Sequence, residues 1–153
     1  MACPRSRLLL NAAEHRMLEE LRILVEPHGA DVWCKVGLKD AVDLNNSGIS
    51  DENYSYAMRA HLDFVVTERS TSRILFAVEY DGPTHFTDSD TILRDRKKTE
   101  VCRALGFDLL RITKSQLEIV FLGSHQLQIL VERWFNDHSL SRALPMLVYA
   151  ANG

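Results

Sequence analysis

The chain has 153 residues and a formal net charge of −3, and 46 % of its residues are hydrophobic and 25 % charged. This length suits one compact domain with its own core, and the composition is typical of a globular protein in water. No apolar run reaches the roughly 20 residues of a membrane helix, and the leucines after Arg7 are too few for a signal peptide. We therefore expect a single domain over residues 1–153, in the cytoplasm and without a membrane partner.

The first elements predicted along the chain are a helix and a strand. Residues 11–25 place apolar side chains at spacings of three and four, and Asn11 is a suitable N-cap. Residues 31–38 alternate as a strand. Residues 43–56 are polar and turn-rich and lack any period, so we expect a mobile loop there.

The second half of the sequence predicts a hairpin, a helix and a further strand. Strands are predicted over 61–67 and 74–81, around a turn at 69–73. A helix over 91–105 ends before Gly106 and leads into a strand over 107–113 that we expect to run parallel to the preceding one. One or two helices follow residue 115, most clearly over 126–135. The expected fold is α/β, with a mixed central sheet flanked by helices, a core at 11–113 and a C-terminal helical segment at 115–153.

The cysteines give no sign of a disulfide framework. Cys3, Cys34 and Cys102 are odd in number, lie far apart and include no C-x-x-C pair. Reduced thiols in a cytoplasmic protein are the expected state, and a structural zinc site is not.

An acidic pair ends the second strand of the hairpin. Glu79 and Asp81 are two residues apart, so their carboxylates point to the same face of the sheet. Two like charges at the end of an apolar strand need solvent or a cation to offset their repulsion. Mg²⁺ prefers oxygen ligands of this kind.

The hairpin adds a third acid. The turn at residues 69–73 is centred on residue 71, which places Asp63 opposite position 79. The sequence therefore predicts that Asp63, Glu79 and Asp81 meet at one divalent-metal site.

These acids and the residues after them resemble the PD-(D/E)xK superfamily of restriction-endonuclease-like proteins, in particular a bacterial branch similar to very-short-patch-repair endonucleases. The run E-x-D-G-x-x-H, a helix with D-x-x-K, a later G-x-x-x-x-R and an N-terminal Ala-Glu context carry the resemblance. They read here Glu79-Tyr80-Asp81-Gly82-Pro83-Thr84-His85, Asp95-Arg96-Lys97-Lys98, Gly106 to Arg111 and Ala13-Glu14. Asp81 stands where the superfamily usually has the triplet lysine.

The resemblance implies site roles that the residues alone leave open. Lys98 would replace the missing triplet lysine, or lie on a solvated helix face. His85 would act as a proton donor or substrate contact, or be merely exposed. Glu14 would be a metal ligand or an ordinary helix-capping residue, and Arg111 an ion-pair partner or a phosphate contact.

The implied activity is that of a metal-dependent DNA endonuclease or nickase using Mg²⁺, with Mn²⁺ as a substitute. The basic residues Arg94, Arg96 and Lys97 are expected to contact the DNA backbone without reading sequence. A catalytically inactive DNA-binding module, or an accessory subunit of a larger assembly, is the alternative, because fold does not fix function. A homodimer and a larger assembly both stay open.

Overall fold

The computed structural model describes residues 6–81, 89–118, 120–121 and 124–143. Its helices and strands follow in the order α1 (Ala12–Val25), β1 (Ala30–Gly37), α2 (Leu38–Ala41), α3 (Asp51–Ala57), β2 (His61–Glu68), β3 (Ile74–Asp81), α4 (Ser89–Ala104), β4 (Leu109–Thr113), α5 (Lys114–Glu118), β5 (Val120–Phe121), β6 (Ser124–His125) and α6 (Gln126–Ala143).

The central sheet has the strand order β1-β2-β3-β4. Strand β2 pairs antiparallel with both β1 and β3, whereas β4 runs parallel to β3. Helix α4 makes the crossover between β3 and β4, since a parallel pair cannot be joined by a tight turn. The expected α/β fold with a mixed, helix-flanked sheet is confirmed, including the hairpin and the parallel crossover.

The register of the hairpin agrees with the one predicted from its turn. Phe64 lies opposite Val78 and Val66 lies opposite Phe76, which places Asp63 beside Glu79. The register shifts by one residue between Val66 and Thr67, on the side of the turn. The bulge therefore leaves the pairing at the Asp63 end as predicted.

Both faces of the sheet are covered. Helices α1 and α6 pack on one face around a cluster that includes Met17, Leu21, Phe64, Phe76 and Trp134. The other face holds a second cluster, which includes Leu38, Ala57, Leu62, Val65, Ala77, Val101 and Cys102. Burial on both sides explains the apolar runs at 64–66 in β2 and 74–78 in β3. Asp63 and Glu79 lie at the ends of these runs.

The ends of the other elements follow their sequence signals. The Asn11 side chain accepts a hydrogen bond of 2.8 Å from the Glu14 N–H at the start of α1. Gly106 takes the left-handed conformation, with φ of 66°, in the turn that follows α4. Helix α6 is longer than the predicted 126–135. Within the described residues, no helix combines the length and the apolar character needed to cross a membrane.

The loop predicted over residues 43–56 is wrong in its second half, where α3 begins at Asp51. The Ser50 hydroxyl caps this helix by accepting a hydrogen bond of 3.2 Å from the Asn53 N–H. Ala57 is buried at its end, and Leu44 is buried ahead of it. Seven residues with one buried side chain give no helical period, so the sequence pattern was too short to reveal α3.

Candidate active site

Asp63 and Glu79 interlock across the end of the hairpin. The Asp63 backbone N–H donates to Glu79 Oε1 at 3.0 Å, and the Tyr80 N–H donates to Asp63 Oδ2 at 3.1 Å. Each carboxylate thus binds the backbone of the opposite strand. The predicted proximity of these two acids is confirmed.

Lys98 reaches this pair from α4. Its Nζ donates to Glu79 Oε2 at 3.1 Å, and the side chains of Lys98 and Glu79 are only 14 % and 5 % exposed. Asp95 lies one turn earlier on α4, on the same side of the helix. Of the two alternatives for Lys98, the structure therefore gives contact with the acids and excludes a solvated helix face.

Burial raises the pKa of Glu79 to about 7, and the neighbouring negative charge of Asp63 adds to this shift. The charge of Lys98 and the hydrogen bonds from Lys98 and from the Asp63 backbone act in the opposite direction. The loss of hydration outweighs these opposing effects because Glu79 is almost fully buried in the sheet. Glu79 can therefore gain or lose a proton near neutral pH.

Asp81 has a different partner. Arg111 on β4 donates from Nη1 to Asp81 Oδ1 at 2.8 Å, from Nε to the Thr99 hydroxyl and from Nη2 to the Asp95 carbonyl, each of these also at 2.8 Å. Arg111 thus ties β3, β4 and α4 together. Of the two roles left open for Arg111, the structure has the ion pair.

The three acids do not form a metal cluster in this conformation. Within the described ranges, no three His, Cys, Asp or Glu side chains are grouped so that they could hold a metal ion. Glu79 pairs with Lys98 and Asp81 with Arg111, although the two acids share one face of β3. Asp63 and Glu79 thus lie together as expected, whereas Asp81 does not join them in a three-acid cluster.

The donor chemistry still fits Mg²⁺, because the carboxylates supply oxygen ligands and a cation would relieve the repulsion between Asp63 and Glu79.

A second lysine, not identified from the sequence, lies at the same end of the sheet. Lys35 Nζ is 2.8 Å from Glu14 Oε2, a buried oxygen that accepts no well-directed hydrogen bond from the described residues. The two side chains, 36 % and 17 % exposed, form an ion pair. The backbone N–H of Glu14 takes part in the cap of α1, and its side chain pairs with Lys35 near the acids.

Two features mark Lys35 as unusual. Its φ of 55° lies in the left-handed region that non-glycine residues seldom adopt. Close contact with the Glu14 carboxylate raises the pKa of Lys35, and the charges of Asp63 and Glu79 contribute in the same direction. Lys35 on β1 and Lys98 on α4 therefore both interact with the acids of this site.

A cleft of about 700 Å³ lies beside Lys98, between α3 and α4. It is lined by Tyr56, Arg59, Ala60, His61, Arg94, Asp95, Lys97 and Lys98. Of the three basic residues expected from the sequence to contact DNA, Arg94 and Lys97 line this cleft and Arg96 does not. No sequence signal indicates a site role for Arg59, which follows the predicted loop, or for His61, which begins the strand predicted over 61–67.

Two contacts join the walls of this cleft. The Tyr56 hydroxyl donates to the Arg94 carbonyl at 3.1 Å, and Lys97 forms an ion pair with Glu52. Lys97 Nζ also lies 5.8 Å from the centre of the Tyr56 ring. His85 and Gly82, which follow β3, lie outside the described residues.

The fold and this site define an α/β protein in which two adjacent carboxylates and a nearly buried lysine meet at the end of a hairpin, next to a basic cleft. The family model described as "Protein of unknown function (DUF2726)" matches residues 6–123. The chain belongs to this family, and the matched range contains Glu14, Lys35, Asp63, Glu79 and Lys98. No curated protein and no solved structure gave a significant match.

Proposed function

We propose that the protein is a metal-dependent nuclease of the PD-(D/E)xK kind that hydrolyses phosphodiester bonds in DNA, as an endonuclease or a nickase. The observation that carries this proposal is the 3.1 Å contact between Lys98 Nζ and Glu79 Oε2. The resemblance requires a lysine from the helix after β3, because Asp81 occupies the triplet position. Lys98 is such a lysine, and it contacts the acid that the resemblance assigns to the metal.

The metal ion would be Mg²⁺, with Mn²⁺ as a substitute. Asp63 and Glu79 would hold it, and Asp81 and Glu14 provide further carboxylates around the site. When bound, the ion would activate a water and stabilise the charge that develops on the phosphate. Metal binding would also favour the ionised form of Glu79, whose pKa is about 7 without it.

The remaining residues of the site would position the phosphate. Lys98 would donate to the attacking water or to a phosphate oxygen, in a recessed site where such a contact is strong. Arg94 and Lys97 would neutralise neighbouring phosphates. Arg111 would act indirectly, since its contacts hold α4, and with it Lys98, against β3.

One observation favours the alternative of an inactive DNA-binding or accessory protein. Three of the four acids pair with a cation of the chain, namely Glu79 with Lys98, Asp81 with Arg111 and Glu14 with Lys35. Because these cations balance the negative charge of the acids, the site is stable without a metal ion. Such a site is what we expect of a binding module that no longer hydrolyses DNA.

Incubation with DNA separates the two functions. Purified protein is mixed with linear, nicked and single-stranded DNA in Mg²⁺, Mn²⁺ or EDTA, beside the variants Glu79→Gln and Glu100→Gln. A nuclease cleaves only with metal, loses cleavage in Glu79→Gln and keeps it in Glu100→Gln, which alters an exposed residue of α4. DNA binding in EDTA without cleavage in either metal would instead support the alternative.

A further inference from the structure

The cleft beside Lys98 has basic residues on both walls. Arg94 and Lys97 come from α4, whereas Arg59 and His61 come from the turn after α3 and the start of β2. Asp95 is the acidic residue among its described lining, and it lies 3.9 Å from Arg111. A groove of this charge attracts a phosphate backbone.

The cleft leads to the acids through one shared residue. Lys98 lines the cleft and also donates to Glu79, whose side chain is 5 % exposed. A phosphate that is hydrolysed beside Glu79 would therefore come close to Lys98 within a recessed space.

The dimensions of the cleft select what can enter it. Its volume of about 700 Å³ is that of a pocket for a small ligand. A compact space of this volume is roughly 9 Å across, whereas the major groove of a DNA duplex is by itself roughly 12 Å wide. The whole duplex is wider still and cannot lie inside the cleft. A strand separated from its complement can, and an aromatic side chain beside a basic groove is typical of single-strand binding. Tyr56 provides that aromatic surface.

We propose that this cleft binds a single strand of nucleic acid, with Arg59 contacting its phosphates from the wall opposite α4. The route from the bound strand to the acids rests on the proposed nuclease function, whereas binding itself does not. The proposal thus assigns a role to α3 and the turn that follows it.

The ion pair between Glu52 and Lys97 bears on this binding. The Glu52 side chain is 81 % exposed, so its pairing with Lys97 is worth little free energy in water. A phosphate entering the cleft would compete with the Glu52 carboxylate for Lys97. Removal of the Glu52 charge should therefore tighten strand binding.

Binding is measured in EDTA, where no cleavage occurs, by fluorescence anisotropy of a labelled thymidine oligonucleotide and of a duplex of equal length, over a range of salt concentrations. We expect the single strand to bind more tightly than the duplex. Arg59→Ala should weaken binding and reduce the slope of log K against log salt by about 0.7, the value for one phosphate of a single strand. Arg96→Ala, which alters an exposed residue of α4 outside the cleft lining, is the matched control.

Glu52→Gln should tighten binding of the oligonucleotide, while Glu100→Gln should not. If Arg59→Ala melts early, Arg94→Ala on the opposite wall provides the same test. Equal or tighter binding of the duplex, or equal effects of Arg59→Ala and Arg96→Ala, would overturn the proposal. Strand binding without cleavage in Mg²⁺ would contradict the nuclease function alone, and duplex cleavage unaffected by Arg59→Ala would contradict the strand-binding proposal alone.

Discussion

Lys98 Nζ lies 3.1 Å from Glu79 Oε2, and both side chains are nearly removed from solvent. The two residues belong to α4 and β3, so the contact joins the crossover helix to the sheet at the site. Each charge offsets the burial of the other. Loss of either partner leaves a buried charge uncompensated.

Replacement of Lys98 should therefore affect both stability and activity. Lys98→Met should lower the free energy of unfolding by about 3 kcal/mol at pH 8, where Glu79 is ionised, and by less at pH 5. Cleavage should fall on the order of 10²–10³-fold, as when one transition-state donor is lost. Urea unfolding at both pH values checks the first effect, and Lys39→Met, on the exposed surface of α2, is its control. Equal losses at pH 5 and pH 8 would exclude a charge effect.

The raised pKa of Glu79 predicts how stability depends on pH. Between its ordinary value of 4.5 and about 7, the folded protein holds a proton on Glu79 that the unfolded chain has released. This proton therefore makes a contribution to the free energy of unfolding that is fully present below pH 4.5. The contribution, on the order of 3 kcal/mol, decreases as the pH rises and is lost above about pH 7. Glu79→Gln should remove this component. The difference in unfolding free energy between the wild type and Glu79→Gln, measured in EDTA from pH 4.5 to 8, gives the result; a flat difference would contradict the shift.

Asp81 should stabilise the fold. From the sequence alone, removal of Asp81 is expected to relieve repulsion from Glu79 and to leave the fold intact or more stable. The structure gives Asp81 an ion pair with Arg111, so Asp81→Asn should instead cost about 2 kcal/mol. Asp137→Asn is the comparison, since Asp137 belongs to a largely exposed pair with Arg133 and should change little. Thermal unfolding of both variants decides between these expectations.

Lys35 should oppose metal binding. Its charge interacts with Glu14, Asp63 and Glu79, so it competes with any cation for their negative field. Lys35→Met should tighten the binding of Mg²⁺ or Mn²⁺ by roughly five- to tenfold, for about 1 kcal/mol of repulsion removed. Titration calorimetry measures the affinity, with Lys39→Met as the control. Unchanged affinity would place the ion away from Glu14 and Asp63.

The cap of α3 should support the wall of the cleft. Ser50→Ala removes the hydroxyl that accepts from the Asn53 N–H and should cost about 1 kcal/mol of stability. Ser55→Ala, at an exposed position within the same helix, should cost less. Chemical denaturation compares the two variants, and a larger effect of Ser55→Ala would be inconsistent with the cap.

The parts of the site that could be predicted from the sequence depend on local geometry. The proximity of Asp63 and Glu79 follows from a short turn and a two-residue side-chain period, both of which operate within one hairpin. Lys98 is indicated by the resemblance alone, through the D-x-x-K run Asp95–Lys98 on the helix that follows this hairpin. Each of these relationships spans few residues and one connection.

The parts that escaped prediction depend on distant pairings. Lys35 reaches the acids because β1 pairs with β2, and the connection between these strands contains α2 and α3. Asp81 turns toward Arg111 because β4 pairs beside β3 through the crossover. A periodic pattern cannot state which charged partner a side chain finds when that partner lies on a separate element.

The bulge between Val66 and Thr67 lies between the turn and the Asp63 end of the hairpin. At about 3.4 Å per residue, the strand from Asp63 to its end at Glu68 spans roughly 17 Å, and Ser70 lies beyond that end. A register error introduced at the turn can therefore be absorbed before it reaches the carboxylates. The exposed turn residues 70–72 accordingly offer an attachment point, where a dye or an immobilising tag can be inserted while the chemistry at the other end is followed undisturbed.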